Sequence, residues 1–348
     1  MRVLVTGAGG SAAANFVDAL RRSSLPDLSI VGADARPTHL ALCRVDARRV
    51  IPPVSDPAYL DALNQLIADE DIDLLHPQPD VEVAFLAEHR TAVDAPVWLP
   101  SPAAVALCQD KMAFNLRMQE AGVPVPQAIH LQDIDQLASA LSQLLVKQPR
   151  VWLRAIRGAG SRASLPVSNA LQAEGWIDYW RDFRGLQPSD FMLSELLPGA
   201  EFAWQSLWRD GELITSQARE RLEYVFGNLT PSGQTSSPSV ARTVNRADVN
   251  QIGRAAVLAA DPRADGVFCV DMKEDGEGTP RVTEINAGRF FTTSNFFAHA
   301  GLNMPEMYVR LALDPDVRFD VPRVDPLPAG LLWVRMIDMG YALLESDG

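Results

Sequence analysis

Residues 266–297 read GVFCVDMKEDGEGTPRVTEINAGRFFTTSNFF. Two runs rich in β-branched and apolar residues, GVFCVDMK and PRVTEIN, flank the acidic, glycine-rich EDGEG. This is the pattern of an antiparallel hairpin with a loop a few residues long. Side chains alternate along a strand, so Val282, Glu284 and Asn286 are expected on one face. Pairing centred on the Glu277–Gly278 loop then sets Asp271 opposite Glu284 on that same face. Directly opposed side chains lie only about 5 Å apart at Cβ, where two like charges destabilise a sheet unless something positive lies between them. Carboxylate and amide oxygens suit Mg²⁺, which takes one or two protein carboxylates and completes its octahedron with phosphate oxygens and water. Asp271, Glu284 and Asn286 are therefore candidate metal ligands. A solvated acidic hairpin on an acidic chain is the competing reading, and the hairpin alone does not decide between them.

Composition narrows the alternatives. At 348 residues and 47% hydrophobic, the chain can bury two or three ordinary cores. Its net charge of −13 disfavours a nucleic-acid or anionic-membrane surface, since both rely on a basic face. No uninterrupted apolar run is long enough to span a bilayer, and the first apolar stretch breaks at once into a glycine turn, so a cytoplasmic protein is expected. Cys43, Cys108 and Cys269 form no CxxC pair, which argues for buried thiols over a disulfide framework or a zinc cluster. No HExxH and no GxSxG is present, so metalloprotease and serine-hydrolase readings have no support. A homodimer is the default assembly, because twofold dimers are the commonest soluble oligomers.

The chain opens with RVLVTGAGGSAAANFVDALRR, a β-branched strand at 3–6 running into Gly7, Gly9 and Gly10 and then an Ala-rich helix. That is how a Rossmann-like unit begins. The next strand, SIVGADA, ends in Asp34, where a nicotinamide enzyme places its ribose carboxylate. An NAD(P)-dependent epimerase or reductase is thus an alternative, but no Tyr-x-x-x-Lys pair follows to move the proton. A structural turn is the favoured reading. Alternation continues with a strand near Val50, a helix over 57–68, the strand IDLLHP, a helix over 81–89 and the strand VWLP, giving an α/β layer that ends near residue 100. A helix over 110–121 is closed by Gly122, Pro124 and Pro126, and another spans 133–145. VWLRAIRGAGSRASLPV reads as strand, glycine loop and strand, the loop rich in N–H groups and arginines that suit phosphates. DFMLSELLPGAEFAWQSLWRDGELITSQARER is a strand, a Pro-Gly corner and a hairpin turned at Asp210-Gly211. A Gly/Pro/Ser/Thr-rich loop over 224–239, a helix over 245–260 and a late strand LLWVRMID complete the outline. Arg219, Arg221 and Arg242 flank that loop, and one of them could clamp a substrate carboxylate; solvated surface arginines are the plainer reading. Trp204, Trp208, Phe290 and Phe291 are pocket candidates, although ordinary core residues alternate in the same way.

In this order the motifs resemble the ATP-grasp superfamily over nearly the whole chain: DK…AGVPVP, the glycine loop, ELLPGAEF, and D…EIN…R. The branch it is most similar to is the carbamoyl-phosphate synthetase large-subunit group, which carries Arg on the glycine-loop strand as Arg154 does here. The resemblance implies an α/β (α+β ATP-grasp) fold: a Rossmann-like preATP-grasp domain over 1–108, a small lid subdomain over 109–192, and a large subdomain over 193–348. It implies that Lys111 and Arg154 hold ATP phosphates and that Gly158, Gly160 and Ser161 belong to the loop closing over them. The backbone of Glu195, Leu196 and Leu197 meets the adenine edge, and Glu201 takes the ribose hydroxyls. Asp271, Glu284 and Asn286 bind Mg²⁺ (two ions, with Mn²⁺ as a substitute), and Arg289, with Arg154, contacts the transferring phosphoryl group. The implied activity is an ATP-dependent, ADP-forming carbon–nitrogen ligase that joins a small-molecule carboxylate to an amine through an acyl-phosphate. A carbamoyl-phosphate-synthetase-like kinase step is a further alternative.

The chain departs from the family pattern in three places. The usual Asn-x-Arg is here Asn286-Ala287-Gly288-Arg289, Ser194 stands where the hinge is often acidic, and TPSGQTSS lacks the histidine of the carbamoyl-phosphate synthetase loop. With one such unit and no glutaminase segment, synthesis of carbamoyl phosphate is not expected.

Overall fold

Val3, Leu4 and Val5 are wholly buried, without the alternation of a half-exposed strand. A run of this kind belongs to the middle of a parallel sheet covered on both faces. In the computed structural model of the chain, residues 1–146, 148–158, 163–230, 232, 233, 235 and 237–336 are described, together with the backbone of 340–345. Strands β1 (Arg2–Thr6), β2 (Ser29–Asp34), β3 (Ala47–Val50) and β4 (Leu74–Pro77) form a parallel sheet in the order β3-β2-β1-β4. Helices α1 (Ser11–Arg21), α2 (Pro37–Leu40), α3 (Tyr59–Asp69) and α4 (Asp80–Glu88) connect them. The expected VWLP strand is reduced to a single bridge between Leu75 and Val97. Pro96 and Pro100 bracket this segment, and a proline cannot donate to a ladder.

Helix α5 (Pro102–Gln109) starts on Ser101, whose side chain accepts the Ala104 N–H, and helix α6 (Lys111–Glu120) starts on Asp110, which caps Ala113 in the same way. Strands β5 (Ala128–His130), β6 (Val151–Ala155), β7 (Leu165–Val167) and β8 (Phe191–Glu195) pair antiparallel in the order β5-β8-β6-β7. Helices α7 (Leu137–Leu144) and α8 (Ala170–Arg184) cover them.

The largest sheet contains β9 (Glu201–Arg209), β10 (Glu212–Tyr224), β11 (Pro238–Val244), β12 (Gly266–Glu274), β13 (Pro280–Ala287), β14 (Leu331–Met336) and β15 (Gly340–Glu345). Their order is β13-β12-β9-β10-β11-β14-β15. Helix α9 (Ala247–Ala260) packs on one face through Val249, Ala256 and Val257 against Trp204 and Trp208. On the other face, α10 (Asn295–His299) and α11 (Met304–Leu313) share one core with β1 and α1, joining Val5, Phe16 and Leu20 to Leu207, Phe290, Phe296 and Trp333. This common core sets the β1–α1 turn and the β12–β13 hairpin on the walls of one cavity. Trp204, Trp208 and Phe290 are therefore core residues, and only Phe291 of the four aromatic candidates reaches a cavity. The three cysteines are buried free thiols. No helix among the described residues is long and apolar enough to cross a membrane.

Candidate functional site

Asp271 stands opposite Glu284 in the hairpin, as the alternation argument requires. The register slips immediately afterwards, between Asp271 and Met272, so that Met272 pairs with Val282 and Thr283 is left as a bulge. The bulge corrects one expectation. Val282 and Ile285, three residues apart, both enter the core beneath α9, so Val282 does not share the face of Glu284 and Asn286. A loop-centred count cannot anticipate an extra residue in one strand.

On the opposite face Asn286 Nδ2 donates to Asp271 Oδ2 at 3.3 Å, which draws two of the three candidate ligands together. Asp271 is 7% exposed. Burial, reinforced by Glu284 and Glu201, raises its carboxyl well above the usual carboxylate range, against the pull of Arg221. Burial would also raise Glu284, but Lys111, Arg154 and Arg289 outweigh it and hold this carboxylate below its ordinary value. The two acids titrate as a pair. Acidic groups crowded at one point, Asp271 and Glu284, with the Asn286 amide oxygen beside them, are the donor chemistry a hard divalent cation takes. Arg221 now meets that charge, its Nη2 donating to Asp271 Oδ1 at 2.5 Å and its Nη1 to Glu201 Oε1 at 3.2 Å.

Arg154 is nearly buried, and Nη2 donates to the Thr283 carbonyl at 3.0 Å, the carbonyl that the bulge turns out of the ladder. Lys111, the first residue of α6, reaches the Gly158 carbonyl at 2.7 Å and so ties that helix to the glycine loop. Burial depresses both cations, which Glu284 opposes. Gly160 and Ser161 lie outside the described residues. At the hinge, Glu195 Oε2 accepts from the Gln127 N–H at 2.8 Å. With the Gln148 amide turned so that its nitrogen faces the Leu196 carbonyl, it meets the Leu196 C=O and N–H at 2.8 and 2.9 Å. Glu201 accepts from the Tyr224 hydroxyl and lies 3.7 Å from Lys273 Nζ.

Arg289 turns toward the parallel-sheet layer. It pairs with Asp80, at the first turn of α4, and Nη2 also donates to Asn286 Oδ1. Gly288 makes this turn possible with φ +84°, and a Cβ there would stand 2.8 Å from Val83. Asp80, Tyr224 and Gln148 carry no site signal in the sequence, and Arg221, expected as a substrate clamp or a solvated arginine, instead pairs with Asp271 and Glu201. Asp80 carries no local signal, because its partner lies 209 residues away.

Most of these groups line one cavity of about 660 Å³, which holds Arg154, Glu195, Leu196, Leu197, Glu201, Asp271, Glu284, Asn286 and Arg289. Gly7, Gly10, Ser11 and Asp80 close it from the parallel-sheet layer. The glycine turn itself is packed: a Cβ on Gly7 would lie 2.3 Å from Pro79, and Asp34 accepts the Gly9 and Arg36 N–H groups at 3.0 and 2.9 Å. Asp34 is thus committed to the turn. The structural reading of GAGG is the one the geometry favours over a nicotinamide site.

Residues 3–96 match the family model described as the PylC-like N-terminal domain. Over 95% of its length the chain is similar to the L-amino acid ligase from Bacillus licheniformis, covering 78% of that chain with a TM-score of 0.68 at 14% identity. It is similar to a biotin carboxylase from Campylobacter jejuni (TM-score 0.70, 16% identity, 96% and 75% of the two chains). It is also similar to the carboxyaminoimidazole ribonucleotide synthase from Aspergillus clavatus, a structure complexed with ATP (TM-score 0.69, 16% identity, 96% and 81%). The resemblance read from the motif order holds at the level of architecture: the chain has the mixed α/β fold of ATP-grasp enzymes.

Proposed function

We propose that the chain is an ATP-dependent ligase that joins a small-molecule carboxylate to an amine, with release of ADP and phosphate. The observation that carries this reading is the single cleft in which the Asp271–Glu284–Asn286 oxygens face the cations Arg154 and Arg289, with the hinge backbone at its other end. A carboxylate is a poor electrophile. Attack of its oxygen on the terminal phosphorus of ATP forms an acyl-phosphate and releases ADP; attack of an amine nitrogen on the acyl carbon then expels phosphate and gives up a proton. Catalysis of such steps is mainly positioning and charge neutralisation, and no nucleophilic side chain is required.

In this reading Lys111 and Arg154 hold the phosphates, Gly158 belongs to the loop over them, and Glu195, Leu196 and Leu197 present the adenine edge. Glu201 takes the ribose. Asp271, Glu284 and Asn286 would hold Mg²⁺, which supplies charge neutralisation on the phosphate oxygens when bound. The division into residues 1–108, 109–192 and 193–348 belongs to the same proposal, as does a homodimeric assembly.

Calorimetry with Mg·ATP, together with ADP release in the presence of hydroxylamine and a panel of acids, tests the proposal. Nucleotide binding that Glu284→Ala weakens is the expected result. Absence of nucleotide binding, or a Glu284→Ala protein indistinguishable from the parent, refutes it.

A further inference from the structure

Arg219 is 1% exposed, and among the described residues no carboxylate, carbonyl or hydroxyl accepts from it. Its Nε and Nη1 are fully enclosed without a hydrogen-bond partner. The guanidinium lies 4.8 Å from the Phe291 ring and 5.3 Å from that of Phe297. Its charged neighbours make matters worse: Arg221 and Arg335 bear on it as like charges, while the carboxylate of Asp271 is already paired with Arg221. Arg335 has no carboxylate partner among the described residues either, donating instead to the Pro238 and Thr292 carbonyls at 3.0 and 3.1 Å. Burial pushes Arg219 down to about 9, which still leaves it charged at neutral pH. A buried cation without hydrogen bonds is costly to keep. The faces of the two phenylalanines offset part of that cost by cation–π attraction, yet they leave Nε and Nη1 without an acceptor.

Its place in the sheet supplies a reason. Ala203 pairs with Asp271 on one side and with Arg219 on the other, so the arginine stands in the same cross-strand row as the candidate metal carboxylates, two strands away. At the usual strand spacing that is about 10 Å. The methyl group of Ala203 leaves the row between them low. Phe291, which lines the cleft, also lies 5.4 Å from Arg221 and so forms the wall between the cavity and Arg219.

We propose that Arg219 receives a second anionic group of the acid substrate, reached when the Phe291 ring turns aside, so that the enzyme activates one carboxylate of a short acid carrying two anions. This rests on the ligase reading for the group that is activated, but the anion subsite is defined by Arg219 independently of the nucleotide.

The test uses the full chain with Mg·ATP and hydroxylamine, and matched acids: butyrate against succinate, valerate against glutarate, alanine against aspartate. Hydroxamate formation is expected with the dianionic member of a pair. Arg219→Met should raise its KM about tenfold or more, the loss of a charge-assisted hydrogen-bonded contact, without changing Mg·ATP affinity, and Arg219→Lys should restore part of it. The melting temperature of ligand-free Arg219→Met should stay level or rise, whereas a purely structural arginine would lower it. Thermal shift with succinate and glutarate against butyrate, on parent and Arg219→Met, reads the subsite even where no acid is turned over. Equal use or equal binding of monoanionic acids, or an Arg219→Met protein that handles dianions as the parent does, overturns the proposal. Failure to bind Mg·ATP with dianion-selective binding intact would sink the ligase reading and leave the subsite standing.

Discussion

Replacing Asp80 by asparagine removes the charge that turns Arg289 away from its expected direction while keeping the size of the side chain. The pair is bidentate, with Arg289 side chain 14% and Asp80 side chain 32% exposed. A hydrogen-bonded charge pair of this kind contributes about 1.5–3 kcal/mol when dry, and the exposure of the aspartate brings the figure to about 1–2 kcal/mol. Asp80 also stands in the first turn of α4, where its carboxylate meets the positive end of the helix, a further contribution of about 0.5 kcal/mol. The expected loss is about 2 kcal/mol, which for a chain of this length lowers the melting temperature by about 3 °C. Because the pair is largely enclosed, added salt should change the deficit little. The functional consequence separates two roles for Arg289. Asn286 Oδ1 is its remaining partner, so without Asp80 the arginine leans wholly on a candidate metal ligand. A fall in kcat for hydroxamate formation, recovered in part by Asp80→Glu, is expected with nucleotide affinity altered less. Unchanged melting temperature and unchanged kcat in Asp80→Asn would refute the reasoning, because Arg289 would then be oriented by the backbone turn at Gly288 alone.

Three further outcomes follow from the geometry. Asp271 is raised and Glu284 lowered, so their contributions to stability run in opposite directions. The folded state holds a proton on Asp271 that the unfolded chain releases near its ordinary value, so this contribution is fully present below that value and lost as pH rises through the raised one; the Glu284 contribution is present above its ordinary value and lost as pH falls. Mg²⁺ must displace the Asp271 proton, so its affinity, measured by calorimetry with ADP, should tighten by about tenfold per pH unit below the raised value and then level off; a flat profile would remove Asp271 from the ligand set. Gly253→Ala sets a Cβ 2.8 Å from the Trp204 ring and 3.1 Å from Met272 Cε, and chemical denaturation should show a loss of about 1–3 kcal/mol with Mg·ATP binding intact. Gly7→Ala meets Pro79 at 2.3 Å with φ +60°, and should cost stability and distort the cleft wall together, read as a lower melting temperature and weaker nucleotide binding.

What was legible in the sequence was periodic or local. The β1 apolar run, the Gly122 helix stop and the acidic hairpin each announce themselves within about ten residues, because strand alternation and capping are short-range physics. Helix α8 leaves no clear mark in the sequence, because its exposed Tyr179 and Phe183 blur the polar face of an amphipathic helix. The single-residue bulge was invisible for a different reason. One residue at Thr283 moves Val282 to the opposite face without changing the composition around it. The extra residue before Arg289 is visible as a departure from Asn-x-Arg, but its destination, Asp80, is not. Arg219 is the instructive case. In the sequence it is one arginine among many beside a polar loop, and solvent exposure is its plainest reading. Only the pairing of β9 with β10 on one side and β12 on the other shows that it is buried in the row of Asp271 without a counter-charge. A charge whose partner is absent leaves no mark in a pattern of residues, since pattern reading detects groups that satisfy one another; it is found only by asking, of every buried donor, where its hydrogen bonds go.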